Sequence, residues 1–407
     1  MRRLGCLGLD VAKDSFTAAF LVVDLTSRHI LTEHIETFSY DRQGWQAFLA
    51  RWQRFSADFW LLGLEASGPY SALLEDHLLH LPRTDIHLHR LAPAQVRDFA
   101  KSRSRRRTKT DRLDARTLAL FLLQQWNIHS LPAPLTTTNT TSLAALARLY
   151  DRLTQELTRI QNQVRQHLHY LFPELERRYR RFPNALRRLL QAYPSAQALA
   201  QASLQDLQQA LSPAQARRLP LQDLHALAQA SFGRHDPHRA QALRFLLHLW
   251  DLLEQERQRV FRYLQQAVQA RFPQAWALLT DIPGVGVTLA TLFLALVGDI
   301  QRFPSAKALV AYAGLDVTLY QSGKYAGRRR LSKRGSPLLR HVLYLMAVAL
   351  KRFTRRFAQA YAYYRQQGRA VRETLVILAR KALIMLFHLL SRQIAFQDTP
   401  APEKVPL

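Results

Sequence analysis

The chain has 407 residues, 48% hydrophobic and 10% aromatic, enough apolar surface for two or three packed domains, which excludes global disorder. Its 57 Lys and Arg against 30 Asp and Glu leave a net charge of +27, more than an enzyme for a small acidic substrate needs, and imply a polyanionic partner, nucleic acid first. The single cysteine, Cys6, excludes internal disulfides and cysteine-based zinc fingers and fits a reducing cytosol.

Met1-Arg2-Arg3 opens an apolar run that Asp10 and Lys13 interrupt, so no signal peptide is expected. Residues 4–9, 16–25 and 30–38 are short and rich in β-branched or aromatic side chains, which predicts three strands. A helix is predicted over 41–52, a fourth strand over 59–65 ending at Ala66-Ser67-Gly68-Pro69, and a helix over 70–81. A fifth strand over 85–91 and a helix over 111–125 follow, the latter packing through Leu113, Leu118, Leu120, Phe121 and Leu122. This order predicts an α/β domain over 1–129, a mixed sheet with helices against it.

Residues 130–142 are rich in Pro and Thr and read as a linker. Over 143–274 the chain reads as all-α. Leu146, Tyr150, Leu153, Leu157, Ile160, Val164 and Leu171 recur mostly at steps of three and four, and Leu243, Leu246, Trp250, Leu253, Val260 and Leu264 repeat the trend. Two long helices of coiled-coil type are predicted, paired with each other or with a second chain; the spacing leaves both open. Prolines 183, 194, 213 and 220 break the segment between them into shorter helices.

A third, helical unit is expected over 275–395, with a turn at Ile282-Pro283-Gly284-Val285-Gly286 and helices over 306–313, 337–359 and 369–390. Residues 396–407 read as a flexible tail. The run 289–297 is too short to span a bilayer, and Arg380-Lys381 break the run 374–390, so a protein of the cytoplasm, associated with the nucleoid and without a membrane partner, is expected.

Four carboxylates stand out in so basic a chain. Asp10 ends the first strand, Glu65 ends the fourth, and Asp111 and Asp114 lie three apart on one helix face. If the strands are neighbours, the four would meet and need cations; oxygen ligands favour Mg²⁺ or Mn²⁺. Lys101, Arg103, Arg105, Arg106, Arg107 and Lys109 precede Asp111, where a basic run would hold a phosphate backbone. Gly284 and Gly286 lie in a turn that resembles a helix-hairpin-helix, whose backbone N–H groups can bind phosphate; the residues alone fit a plain helix N-terminus equally well. No Cys/His metal cluster or phosphate-binding glycine loop is present, and His87 and His89 share a strand face without a ligand pattern.

Gly8-Leu9-Asp10-Val11-Ala12-Lys13, Leu64-Glu65-Ala66-Ser67-Gly68 and Lys109-Thr110-Asp111-Arg112-Leu113-Asp114-Ala115 resemble the Asp-Glu-Asp-Asp signature of the DEDD-type insertion-sequence transposases, relatives of the pilin-gene invertase with a RuvC-like, RNase H-fold first domain. Ile282-Pro283-Gly284-Val285-Gly286, Phe303-Pro304-Ser305-Ala306, Ala311-Tyr312-Ala313-Gly314-Leu315, Tyr320-Gln321-Ser322-Gly323-Lys324 and Ser332-Lys333-Arg334-Gly335-Ser336 are similar to that family's C-terminal transposase domain. The chain departs from the pattern at Ala92-Pro93, where relatives have Asn-Pro, and at Val317, where Pro is common.

The resemblance implies a Mg²⁺-dependent DNA recombinase in which Asp10, Glu65, Asp111 and Asp114 bind metal and Ser322 attacks DNA to form a phosphoserine link. It also implies donor and target DNA and a structured noncoding bridge RNA as partners; if the metal and serine domains meet between chains, a homodimer or homotetramer is required, and the leucine-rich long helices offer a surface for it. Lys324, Arg328, Arg329, Arg330, Lys333 and Arg334 surround Ser322, where phosphate charge could be neutralised as it builds. Tyr320, Tyr325, Ser332 and Ser336 are competing nucleophiles. The alternatives are a RuvC-like nuclease or Holliday-junction resolvase that uses water, and a nucleic-acid-binding module without chemistry.

Overall fold

The computed structural model of the chain describes residues 3–65, 70–103, 110–127, 131, 141–318, 321–322, 325–326, 330–333 and 335–398. They fall into two compact units, Met1–Thr141 with Gly298–Leu309, and Ser142–Val297 with Val310–Leu407.

The first unit runs β1 (Arg3–Val11), β2 (Ser15–Asp24), β3 (Ile30–Ser39), α1 (Arg42–Trp52), β4 (Phe59–Glu65), α2 (Ser71–Leu79), β5 (Ile86–Leu91), α3 (Pro93–Arg103) and α4 (Asp111–Asn127). The five strands form one sheet in the order β3-β2-β1-β4-β5. β1, β2 and β3 pair antiparallel, while β4 joins β1 and β5 joins β4 in parallel, so the sheet is mixed as expected. Because strand side chains alternate between faces, β1 supplies two cores at once. Leu7 and Leu9 pack with Phe16, Phe20, Trp60, and with Phe48 and Trp52 of α1. Leu4 and Cys6 face the other way, onto Leu118, Ala119 and Leu122 of α4. Cys6 is a small core residue, its thiol pushed up to about 12 by burial. α3 is an addition to the expected order: Pro93 opens it, and Val96 and Phe99, one turn apart, are its buried side.

The second unit begins with α5 (Thr141–Leu171), so the last two residues of the expected 130–142 linker are already helical. Short helices follow: α6 (Pro173–Arg178), α7 (Asn184–Ala192), α8 (Ala196–Gln201), α9 (Leu204–Gln209), α10 (Pro213–Ala216) and α11 (Leu221–Gln229). Then comes α12 (Pro237–Arg271). The two long helices pair with each other as an antiparallel hairpin. Leu157, Ile160, Val164 and Leu168 of α5 share a core with Leu243, Leu247 and Trp250 of α12, and Arg257 donates to the Tyr150 hydroxyl at 3.0 Å near the other end.

The chain continues through α13 (Pro273–Thr280), α14 (Val287–Val297), a 3-10 turn (Ile300–Arg302), α15 (Ala306–Ala313), and the two-residue strands β6 (Val317–Thr318), β7 (Gln321–Ser322), β8 (Tyr325–Ala326) and β9 (Arg330–Leu331). α16 (Pro337–Phe353), α17 (Arg355–Gln366) and α18 (Val371–Arg392) close the second unit. The single helix expected over 337–359 is two: Thr354 is extended, at φ −128° and ψ 141°, and its hydroxyl donates to the Leu350 carbonyl. By length and composition α18 could cross a membrane, but half of its apolar stretch is buried, with Leu378, Leu383 and Leu386 fully so, as in a core helix packed on α16 and α17. The expected tail lies outside the described residues from 399 on.

Candidate active site

The β1–β4 register runs through Leu9 opposite Leu64, so the next residues, Asp10 and Glu65, stand side by side at the ends of neighbouring parallel strands. Both lie on the sheet face opposite Leu9 and Leu64, the face that carries α4. α4 starts at this same end. Thr110 accepts a hydrogen bond from the Leu113 N–H at 3.3 Å, and Asp111 and Asp114 occupy the first turn, where carboxylates suit the helix dipole. The four predicted carboxylates therefore share one face and one end of the sheet, with Asp111 exposed and Asp10, Glu65 and Asp114 half-buried.

Gly8 sets how closely the helix approaches. A Cβ there would lie 2.1 Å from the Ala115 carbonyl oxygen and 2.5 Å from the Ala119 nitrogen, so only glycine lets α4 rest on β1. On its outer side α4 is tied to β3. Arg116 makes a two-point ion pair with Glu33, and Arg112 donates to the Ile35 carbonyl at 3.2 Å. The Arg116 guanidinium holds the Glu33 carboxyl below its ordinary range. Sequence reasoning missed these positioning residues, because partners 83 residues apart leave no local signal.

All four donors are hard carboxylate oxygens, the set that suits Mg²⁺ or Mn²⁺. As placed, no three His, Cys, Asp or Glu side chains among the described residues are drawn together tightly enough to hold a metal ion. Binding one would require the carboxylates to turn toward each other.

Ser322 lies on the short β7–β8 hairpin, paired with Tyr325. The base of this loop is well anchored. β6 pairs with β9, Ser332 hydrogen-bonds Asp316 through side chain and backbone, and Arg340 of α16 donates to the carbonyls of Gly335 (2.6 Å), Ala313 and Lys333 (both 3.4 Å). Burial lowers the pKa of the Arg340 guanidinium. Two competing nucleophiles have structural work here: Ser332 is taken by Asp316, and Ser336 caps α16 by accepting from the Leu339 N–H. Asp316 and Arg340 were not singled out from sequence. Lys324, Arg328, Arg329, Arg334 and Tyr320 lie outside the described residues; Arg330 falls on β9, and Lys333 has a left-handed backbone at φ 53°.

Of the basic run, Lys101 and Arg103 end α3, while Arg105, Arg106, Arg107 and Lys109 lie outside the described residues. The 282–286 turn joins α13 to α14. Gly284 needs its positive φ of 86° and its closeness to Phe353, whereas a Cβ on Gly286 would meet open space.

The IS110-type DEDD transposase family model matches residues 7–173, and the model for the transposase IS116/IS110/IS902 family matches residues 276–362. The chain is 30% identical over 313 residues to an uncharacterized 43.6 kDa protein of insertion element IS110 from Streptomyces coelicolor, covering 74% of each chain. It is 33% identical over 116 residues to the transposase for insertion sequence element IS1111A of Coxiella burnetii, 28% of this chain and 32% of that one. It is 28% identical over 129 residues to the pilin gene-inverting protein of Moraxella lacunata, 30% of this chain and 38% of that one. With an RNase H-like mixed sheet carrying the DEDD signature, the chain belongs to the IS116/IS110/IS902 transposase family, the DNA strand-transfer enzymes of mobile elements.

Proposed function

We propose that this transposase exchanges DNA strands through a covalent ester on Ser322, with Asp10, Glu65, Asp111 and Asp114 holding Mg²⁺ or Mn²⁺ near the scissile phosphate. The observation that carries the reading is the β1–β4 register together with the seating of α4 on Gly8, which brings all four carboxylates to one end of one sheet face. When bound, the ion would neutralise charge on the phosphate oxygens. The Ser322 hydroxyl oxygen attacks phosphorus, the bond from phosphorus to the leaving sugar oxygen breaks, and that oxygen takes up a proton as the serine loses one. Attack by a sugar hydroxyl of another strand reverses the exchange and frees Ser322, so phosphodiester bonds are conserved without ATP. Lys324, Arg328, Arg329, Arg330, Lys333 and Arg334, with Lys101 to Lys109 and the Gly284–Gly286 turn, are the proposed phosphate contacts.

The proposed domains are a metal-binding domain over 1–129, a helical region over 143–274 and a serine-bearing domain over 275–395. Serine and carboxylates would have to act on one phosphate on the DNA of the nucleoid, and where they meet between copies a homodimer or homotetramer is required. A structured guide RNA is included on the strength of the resemblance alone, since a charge of +27 suits a second DNA duplex as well. The test incubates the protein with end-labelled donor DNA and Mg²⁺, then denatures it. A protein-linked DNA band that Ser322→Ala and Asp10→Ala both abolish supports the ester. Free cut ends made equally by Ser322→Ala would overturn it in favour of hydrolysis by water.

A further inference from the structure

α18 presents Lys381, Met385, His388 and Arg392 at steps of four, three and four, one face of a helix, toward the start of α17. Between them lies a cavity of about 370 Å³ lined by Arg356, Phe357, Lys381, Ile384, Met385, His388, Leu389 and Arg392. A second cavity of about 520 Å³ shares Arg356, Met385 and Leu389 with it and continues toward Phe396. The first is large enough for a small organic ligand, since such sites run from about 300 to 1,000 Å³. Its floor is apolar, with Phe357 and Leu389 buried and Ile384 and Met385 half-buried, and its rim is basic.

None of Arg356, Lys381 or Arg392 makes an ion pair with a carboxylate among the described residues. The nearby acid, Asp398, is engaged elsewhere: its two oxygens accept the backbone N–H groups of Arg355 and Arg356 at 2.8 and 3.1 Å and so cap α17. The Lys381 ammonium faces the Tyr364 ring at 5.6 Å. Burial, with repulsion from Arg356 and Arg380 added, brings its pKa down to about 8. Three cations around one cavity, with Asp398 the one carboxylate beside them among the described residues, leave an excess of positive charge that favours an anion, and an apolar floor beneath is more than a bare phosphate needs.

We propose that this cavity binds one unpaired nucleotide of a nucleic-acid strand, its phosphate on Arg356, Lys381 and Arg392 and its base against Ile384, Met385 and Leu389. The proposal rests on the reading of the chain as an enzyme of nucleic acids and adds a site that the strand-exchange chemistry does not use. Met385 supplies a polarizable thioether for the face of a base, and the guanidinium groups supply forked donors for phosphate oxygens.

The experiment is an anisotropy titration of the full-length chain with a labelled single-stranded oligonucleotide of about six nucleotides, a length that suits one strand-binding surface. Lys381→Met and Arg392→Gln are each expected to weaken binding about tenfold, the size of one lost charge-assisted phosphate contact. Met385→Trp fills the cavity without changing charge and is expected to weaken it similarly. Arg372→Gln, a charge-matched change on the exposed start of α18, is expected to cost less than about twofold. On the unaltered chain, photocrosslinking with a bromouracil-bearing oligonucleotide is expected to label the 381–392 segment. An abasic oligonucleotide bound as tightly, inorganic phosphate competing as well as a mononucleotide, or Met385→Trp binding like the parent would each overturn the proposal. Ser322→Ala and Asp10→Ala are expected to bind the oligonucleotide normally, so loss of the covalent band and loss of this site are separate results.

Discussion

At Gly8 a single methyl group is too much. The atoms a Cβ would strike, the Ala115 carbonyl at 2.1 Å and the Ala119 nitrogen at 2.5 Å, belong to the backbone of α4, so relief moves the helix rather than a side chain. Asp10 is two residues along the same strand, and Asp111 and Asp114 lie within about one turn of Ala115 on the same helix. Gly8→Ala is therefore expected to separate one carboxylate pair from the other. Strand transfer should fall at least tenfold and stability by about 1–3 kcal/mol, as overpacking does elsewhere; parental activity at a parental urea midpoint would show that this contact does not set the site. The Glu33–Arg116 pair acts from the other side of α4. The hydrogen bond from Arg116 is the largest cause of the lowered Glu33 pKa, with burial opposing and Coulomb attraction adding. A carboxylate depressed on folding stabilises above its unfolded pKa, about 4.3, and loses that contribution as pH falls through the folded value. With the two side chains 31% and 41% exposed, solvent screens much of the effect. Urea midpoints against pH should show Glu33→Gln less stable than the parent at neutral pH and converging with it as pH falls below the ordinary carboxylate range; a constant offset would assign the pair no titrating role.

At the scale of elements, the serine hairpin is short and depends on its base. Arg340→Met removes the donor for the carbonyls of Ala313, Lys333 and Gly335 but leaves the buried side of α16, Leu339, Val342, Leu343 and Met346, unchanged. The loss, about 1–3 kcal/mol for carbonyls left without a partner, falls on the loop. Cleavage by a protease within 314–336 should accelerate and the covalent DNA band should fade while the thermal midpoint moves little; unchanged cleavage would show that β6–β9 pairing alone holds the loop. How far elements were legible follows from which forces are local. The five strands and the acidic positions at their ends could be read because alternation and β-branching are written residue by residue. α3 was not among the expected elements: Arg97, Asp98 and Lys101 make it largely charged, and the two residues that keep helical spacing on its buried side, Val96 and Phe99, are too few to stand out as a periodic run. The break at Thr354 was not legible, because both flanks favour helix and the change is confined to the extended backbone of one residue, whose hydroxyl and N–H both reach back to the Leu350 carbonyl. Spacing left the pairing of the two long helices open. It is decided only in three dimensions, where Val164, Leu168, Leu243 and Leu247 are all fully buried in one shared core.

For the whole molecule, net charge and apolar surface pull in opposite directions. A charge of +27 makes copies repel, and a polyanion or high salt removes that repulsion. The α5–α12 hairpin buries one side of α12 but leaves Phe245, Leu249 and Leu252 exposed at 67%, 41% and 46%, spaced by four and three residues like a coiled-coil seam. If copies associate once their charge is screened, this stripe is where they are expected to meet. Light scattering should then show the mass of the free chain rising with salt, and rising at low salt when DNA is added. Leu249→Gln with Leu252→Gln should stay monomeric under both conditions while still binding DNA, since neither change alters charge. If that double variant assembles like the parent, the stripe is not the surface through which copies associate.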